Sequence, residues 1–116
     1  MTKTVLTQEQ VNDIVREACD AARTAAQKFF QEQLGGQDQF ACGFAWTNIY
    51  GVKGNTKLGK MLKLAGVTQD WQRAFQLWNP SGLHVQNVDT LEAGARAAAE
   101  VFRRHGFEAY ANSRMD

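Results

Sequence analysis

Apolar positions along the chain repeat with two different periods, and the switches between them outline the elements. Val11, Val15, Ala18, Ala22, Ala25 and Phe29 step by four, three, four, three, four. This heptad seam is rich in small residues. Thr7 and Gln10 have the spacing of a capping box, and Gly35-Gly36 supplies a stop, so the pattern predicts a helix over residues 8–34. Leu58, Met61, Leu62 and Ala65 recur at i, i+3, i+4, i+7, which predicts a short helix capped by Asn55 or Thr56 and stopped by Gly66. An alanine-rich stretch predicts a third helix over 90–105. Asp89 and Glu92 are its expected capping box, Val88 its staple and Gly106 its C′ glycine.

Period two marks the strands. Phe40, Cys42, Phe44 and Trp46 alternate with small residues within 40–51, while Gly43, Ala41 and Ala45 leave one face nearly bare. Such a face packs closely under a helix or gives room to a ligand, and helix packing is the preferred reading. Residues 73–78 and 83–87 flank Asn79-Pro80-Ser81-Gly82, a strong turn signal, and are expected to form a hairpin. Residues 67–71 read as a polar connector. Residues 107–112 alternate again as a last strand. The order predicts one α+β domain: a long N-terminal helix, a mainly antiparallel sheet of about four strands, and two further helices. Residues 1–36 read as an oligomerisation helix and 37–116 as a ligand-binding core. The long helix has more surface than one small core covers, so part of its seam is expected to meet copies of itself; packing on its own sheet is the alternative.

The chain has 116 residues and a formal charge of +1, which gives no argument for duplex DNA or a membrane surface. The charge is uneven, however. Lys53, Lys57, Lys60 and Lys63 are unaccompanied by any acid between residues 39 and 66. At a helix start, where N–H groups are free, they make a plausible seat for a phosphate; a solvated lysine face is the plainer alternative. Gly54, Gly59 and Lys60 match most of a phosphate-loop motif, but Met61 stands where the magnesium-binding hydroxyl belongs, and the match is read as coincidence. Cys19 and Cys42 have no metal or redox spacing and are expected to be reduced, buried thiols of a cytoplasmic protein. No signal peptide or membrane span is expected.

Neither His84 nor His105 has metal-ligand company at a familiar spacing, and His105 is expected to serve the end of its helix. No nucleophile motif is present, so binding is favoured over catalysis and no cofactor is expected. Phe75, Trp78, Phe44, Trp46 and Tyr110 offer rings on which a base stacks, though rings at strand spacing are more often core. Asn79, Asn87, Asn112, Gln76 and Gln86 suit base edges or ribose hydroxyls. Lys57, Lys60, Arg73, Arg104 and Arg114 suit phosphates, and Asp116 is placed to orient Arg114. Arg16, Arg23 and Lys28 are candidates for a second anion site at an assembly.

Several pieces resemble one family: CGFAW at 42–46, GNTKLGK at 54–60, LWNPSG at 77–82, EVFRRHGFEAY at 100–110 and SRMD at 113–116. Together they look like the phage anti-defence proteins of the first Thoeris anti-defence family, over about residues 40–116. The resemblance implies a sponge that holds the glycocyclic ADP-ribose signal of a bacterial TIR-domain enzyme without cleaving it. It implies assembly as dimers or hexamers and, for some members, cyclic trinucleotides at a second site.

The expectation is a cytoplasmic homo-oligomer that sequesters a cyclic nucleotide. Trp78 or Phe75 would stack the adenine, Asn79 and Asn112 would touch ribose or base, and Arg114 with Lys57 and Lys60 would hold the diphosphate. Direct inhibition of, or adaptation to, a host protein is the alternative. A nucleotide hydrolase and a single-strand nucleic-acid binder stand further back.

Overall fold

The computed structural model describes residues 5–70 and 74–116. Seven elements follow in order: α1 (Gln8–Leu34), β1 (Gly43–Tyr50), α2 (Lys57–Leu64), β2 (Thr68–Gln69), β3 (Phe75–Trp78), α3 (Val88–Arg104) and β4 (Glu108–Met115). All strand pairs are antiparallel, in the order β2-β3-β1-β4. β1 and β2 therefore run parallel to each other with β3 between them. This is an α+β fold with a four-stranded antiparallel sheet and three helices.

α1 begins at a reciprocal capping box. The Thr7 hydroxyl accepts from Gln10 N–H, and the Gln10 side chain accepts from Thr7 N–H. It ends where Gly35 takes a left-handed φ of 61°, a conformation that glycine adopts without a Cβ penalty. At about 1.5 Å per residue, its 27 residues account for the 43 Å long axis of the molecule. The seam turns inward: Val11, Val15, Ala18 and Ala22 are buried in the chain's own core, while Ala25 and Phe29 are half-buried. Ile14 and Ala26 are buried beside them. The apolar stripe is thus wider than a two-position seam, as a core-facing helix requires, and most of it is not free to meet another copy.

α1 packs chiefly on α3. The approach is close because the facing residues are small. A Cβ added at Gly94 would lie 3.1 Å from the Ala22 carbonyl oxygen and 3.0 Å from Ser81 Cβ. α3 in turn covers one face of β1 and β4. There Thr47, fully buried, donates its hydroxyl to the Ala95 carbonyl at 2.8 Å. The bare face of β1 is therefore helix packing: Gly43, Ala45, Thr47 and Ile49 lie buried under helices. The core continues through Leu62, Val67, Phe75, Phe102 and Phe107, the last two rings meeting edge-on at 5.8 Å.

Several local expectations change. β1 begins at Gly43 because Phe40 has φ of 67°, outside the extended region. The returning hairpin strand at 83–87 does not form. Both edges of β3 are already taken by β1 and β2, and β2 comes from the supposed polar connector. Only Cys42 and Asn87 form an isolated bridge. α3 is capped by Asn87, whose Oδ1 accepts from Thr90 N–H at 2.8 Å, so the expected box at Asp89 and Glu92 is not the cap. β4 runs three residues past its expected end and takes in Arg114. The second strand was expected to begin at Arg73, which lies outside the described residues. Among the described residues no helix is long and apolar enough to cross a membrane.

Candidate functional site

The helices cover one face of the sheet, and the other carries rings. On β1 the side chains of Phe44, Trp46, Asn48 and Tyr50 alternate with the buried small residues. The register sets Trp78 opposite Trp46 on β3, and Arg114, Asn112 and Tyr110 opposite Phe44, Trp46 and Asn48 on β4. Trp46 and Trp78 stack with centroids 5.3 Å apart and planes 13° from parallel. Phe44 meets Trp78 at 5.9 Å, and the Arg114 guanidinium sits 5.7 Å over the Phe44 ring. Tyr50 and Tyr110 make a second pair at 6.1 Å. Trp78 and Tyr110 are each 50% exposed, a large exposure for rings of this size. Under this layer, Trp46 Nε1 and Asn48 Oδ1 are buried with no hydrogen-bond partner among the described residues, although Asn48 Nδ2 donates to the Tyr50 hydroxyl at 3.0 Å.

At one end of this face lies a cleft of about 430 Å³, within the range of roughly 300–1,000 Å³ usual for small-molecule sites. It is lined by Cys42 to Ala45 of the first strand region, Trp78 and Asn79, the 83–86 loop, Leu91 and Asp116. Turn chemistry creates it. Asn79 N–H still donates to the Ala45 carbonyl, but its own φ of 42° turns the chain away. Gly82 N–H then closes the turn on the Asn79 carbonyl at 3.0 Å. The chain rejoins β1 only where Gly43 N–H donates to the Gln86 carbonyl. Between those two contacts the strand edge stays open. Asp38 fixes the loop's exit by accepting from Gln86 N–H and Asn87 N–H at 2.9 and 3.0 Å. Asn87 Nδ2 donates to the Gln39 carbonyl at 2.8 Å.

Of the expected site residues, the structure gathers Trp78, Asn79 and Asp116 in this cleft. It places Arg114 and Asn112 on the adjoining face. Asn79 is committed to the turn: its Nδ2 donates to the Leu83 carbonyl and its Oδ1 accepts from the Ser81 hydroxyl, both at 3.1 Å. No ion pair joins Asp116 to Arg114 among the described residues; Asp116 instead extends the strand ladder by donating its N–H to the Cys42 carbonyl. Phe75 cannot stack a ligand. It is fully buried on the helix side, because odd positions of β3 oppose the core-facing positions of β1.

Lys57 and Lys60 are not part of the cleft. They are exposed on α2, which among the described elements lies against α1 and β2 and follows the opposite end of β1, roughly 20 Å from Phe44 at about 3.3 Å per strand residue. The lysine stretch does border another concavity, lined by Lys53, Asn55, Lys63 and neighbours, with no ring among its described lining residues. Gly59, the second glycine of the phosphate-loop look-alike, is there for packing, since a Cβ would collide with the Lys53 carbonyl oxygen. The proposed second anion set does not converge. Arg16 pairs with Asp13 at 2.9 Å, Arg23 donates to the Ser81 carbonyl at 3.3 Å, and Lys28 is solvent-exposed.

Sequence reasoning missed Cys42, Leu83, His84 and Val85 as lining residues. They reach the site only because 83–86 stays out of the sheet. Cys42 is exposed, not buried, and its thiol donates to Gln86 Oε1 at 3.4 Å. Cys19 is half-buried, and burial pushes its thiol pKa up, aided by Asp20 and opposed by Arg23. Among the described residues no three His, Cys, Asp or Glu side chains gather as a metal site. Comparison with protein-family models, curated proteins and solved structures found no match to this chain.

Proposed function

We propose that this chain binds and sequesters a small cyclic nucleotide of the glycocyclic ADP-ribose class without cleaving it. In the host bacterial cytoplasm during phage infection, this would blunt TIR-based defence. The observation that carries the reading is the continuity of the Phe44–Trp78–Trp46 ring layer, topped by Arg114, with the end cleft. Four-stranded sheets that show rings on an open face stack nucleobases in other settings, at about 1–3 kcal/mol per base. Arg114 brings a fixed fork of donors suited to a phosphate. The adenine stacks on Trp78 and Phe44, the diphosphate meets Arg114, and Asn112 and His84 flank the ligand. The buried, unpartnered Trp46 Nε1 and Asn48 Oδ1 support a face that is completed by something it binds, since each such group costs about 1–3 kcal/mol when left alone.

Calorimetry with glycocyclic ADP-ribose, followed by heat release and analysis of the nucleotide, tests this reading. Tight binding that Arg114→Ala and Trp78→Ala weaken, with unmodified ligand recovered, is the expected result. Binding that both variants leave unchanged, or a cleaved product, refutes it. The half-exposed Tyr50–Tyr110 pair favours the alternative, contact with a host protein. In that case the nucleotide fails to bind.

A further inference from the structure

Two main-chain bonds hold the 79–86 loop to the edge of β1, and a rung is missing between them. Asn79 N–H donates to the Ala45 carbonyl, and Gly43 N–H donates to the Gln86 carbonyl, both at 3.0 Å. Along an antiparallel strand, alternate residues turn both N–H and C=O to the same side. Residues 43 and 45 therefore aim at the loop, and between the two bonds lie the Gly43 C=O and the Ala45 N–H. Neither has a partner among the described residues. The Asn79 carbonyl, which a continued ladder would offer to Ala45 N–H, accepts from Gly82 N–H instead. Ala45 is 1% exposed, and main-chain groups this deep are nearly always paired.

We infer that the missing rung is filled by the Watson–Crick edge of a 6-aminopurine, so that main chain rather than a side chain selects the base. The inference rests on the reading that a nucleotide occupies this cleft; it adds which base enters and what reads it.

The C=O of one residue and the N–H of the next but one, on a single strand edge, set an acceptor beside a donor. Adenine presents the complement, its exocyclic amino donor beside the N1 acceptor. Hypoxanthine and guanine present a carbonyl oxygen and an N–H there, so each bond becomes a meeting of like groups. The lining of the gap suits a flat ring. Phe44 and Trp78 stand on the open face of the sheet, Leu91 comes from α3 on the other, and all three line the cleft. A heterocycle placed edge-on to β1 lies between them. An added peptide strand does not fit, because it uses a row of main-chain groups, and the bonds already made at either side leave one donor and one acceptor. Nearby amides are engaged elsewhere: Asn79 with Leu83 and Ser81, and the Gln86 side-chain carbonyl with the Cys42 thiol.

Calorimetry of the full chain with glycocyclic ADP-ribose and with its hypoxanthine counterpart tests this, together with amide hydrogen exchange read by nuclear magnetic resonance. The adenine ligand is expected to bind at least about 100-fold more tightly, because a site built to bond one polar edge rejects an edge of reversed polarity. Saturation with it should slow exchange of the Ala45 N–H at least about tenfold and leave the amides of α2 unchanged. A 7-deaza analogue, which lacks only the N7 of the other base edge, should bind within about threefold of the parent. His84→Ala and Gln86→Ala, which change side chains beside the gap, should keep the discrimination between bases. Equal binding of the two bases, unchanged Ala45 exchange in the saturated complex, loss of binding by the 7-deaza analogue, or discrimination that disappears in either variant overturns the inference and leaves the nucleotide reading standing. Failure of both ligands to bind overturns the inference together with that reading.

Discussion

The indole of Trp46 stacks on that of Trp78 across the β1–β3 pair, 5.3 Å between centroids and 13° from parallel, while Trp78 keeps half of its surface in solvent. Trp78 is thus held by two ring neighbours, Trp46 by stacking and Phe44 at 5.9 Å, and the rest of its ring surface stays open. Trp78→Ala is expected to weaken nucleotide binding by about 5- to 150-fold, the equivalent of one base stack. It should lower unfolding stability only modestly, because much of the ring is already exposed. Calorimetry and urea unfolding on the same sample separate the two effects. The far-ultraviolet exciton signal of the stacked indoles should vanish with the substitution.

Lys57 and Lys60 lie at the far end of β1 from the cleft. Lys57→Ala/Lys60→Ala is therefore expected to keep affinity within about twofold of wild type at moderate salt, where charges more than about 10 Å apart are screened. A tenfold loss would place these lysines in a ligand site.

Gly43 is both tightly packed and part of the cleft lining. A Cβ there would collide with the Arg114 carbonyl oxygen and come within 2.8 Å of Val88 Cγ2. Neither the strand nor the first turn of α3 yields readily. Gly43→Ala should cost about 1–3 kcal/mol by overpacking and shift the wall of the cleft. Thermal unfolding and ligand titration are both expected to worsen.

Asn87 caps α3 and, through its Nδ2, ties the loop before β1 to the loop after the turn. It is 1% exposed, so Asn87→Ala leaves buried groups unsatisfied as well as removing the cap. The expected loss is about 2–3 kcal/mol, above the roughly 1 kcal/mol of an exposed cap. Asn87→Asp keeps the acceptor and should recover part of it.

The two thiols should react at different rates. Cys42 is exposed on the cleft rim. Cys19 is half-buried with its pKa raised by burial, so less of it is thiolate at any given pH. Iodoacetamide is expected to modify Cys42 first, and Cys42 labelling should slow when ligand fills the cleft while Cys19 labelling does not. For Cys19 a raised folded pKa means that its contribution to stability is present below the unfolded pKa and is lost as pH rises through the folded value. Alkaline unfolding of Cys19→Ala should accordingly show a shallower fall.

What the amino-acid order determined by itself was local. Thr7, Gln10 and Gly35 delimit α1 because caps satisfy backbone groups within four residues of themselves. The alternation at Phe44 and Trp46 marks β1, because strand side chains must point to opposite faces. What tertiary structure decided was partnership. The seam at Val11 to Ala22 reads the same whether it meets a second copy or its own α3, and only the small faces of Ala22 and Gly94 show that it is covered from within. Phe75 and Trp78 look alike in a short apolar run, yet the β1–β3 register buries one and exposes the other. The 83–87 segment carries strand residues, but with both edges of β3 taken it had no partner left, and the cleft formed in the gap. Hydrogen-bond partners and ring neighbours brought together from distant positions in the chain are not encoded in any window of it, because chain closure, not local preference, chooses them.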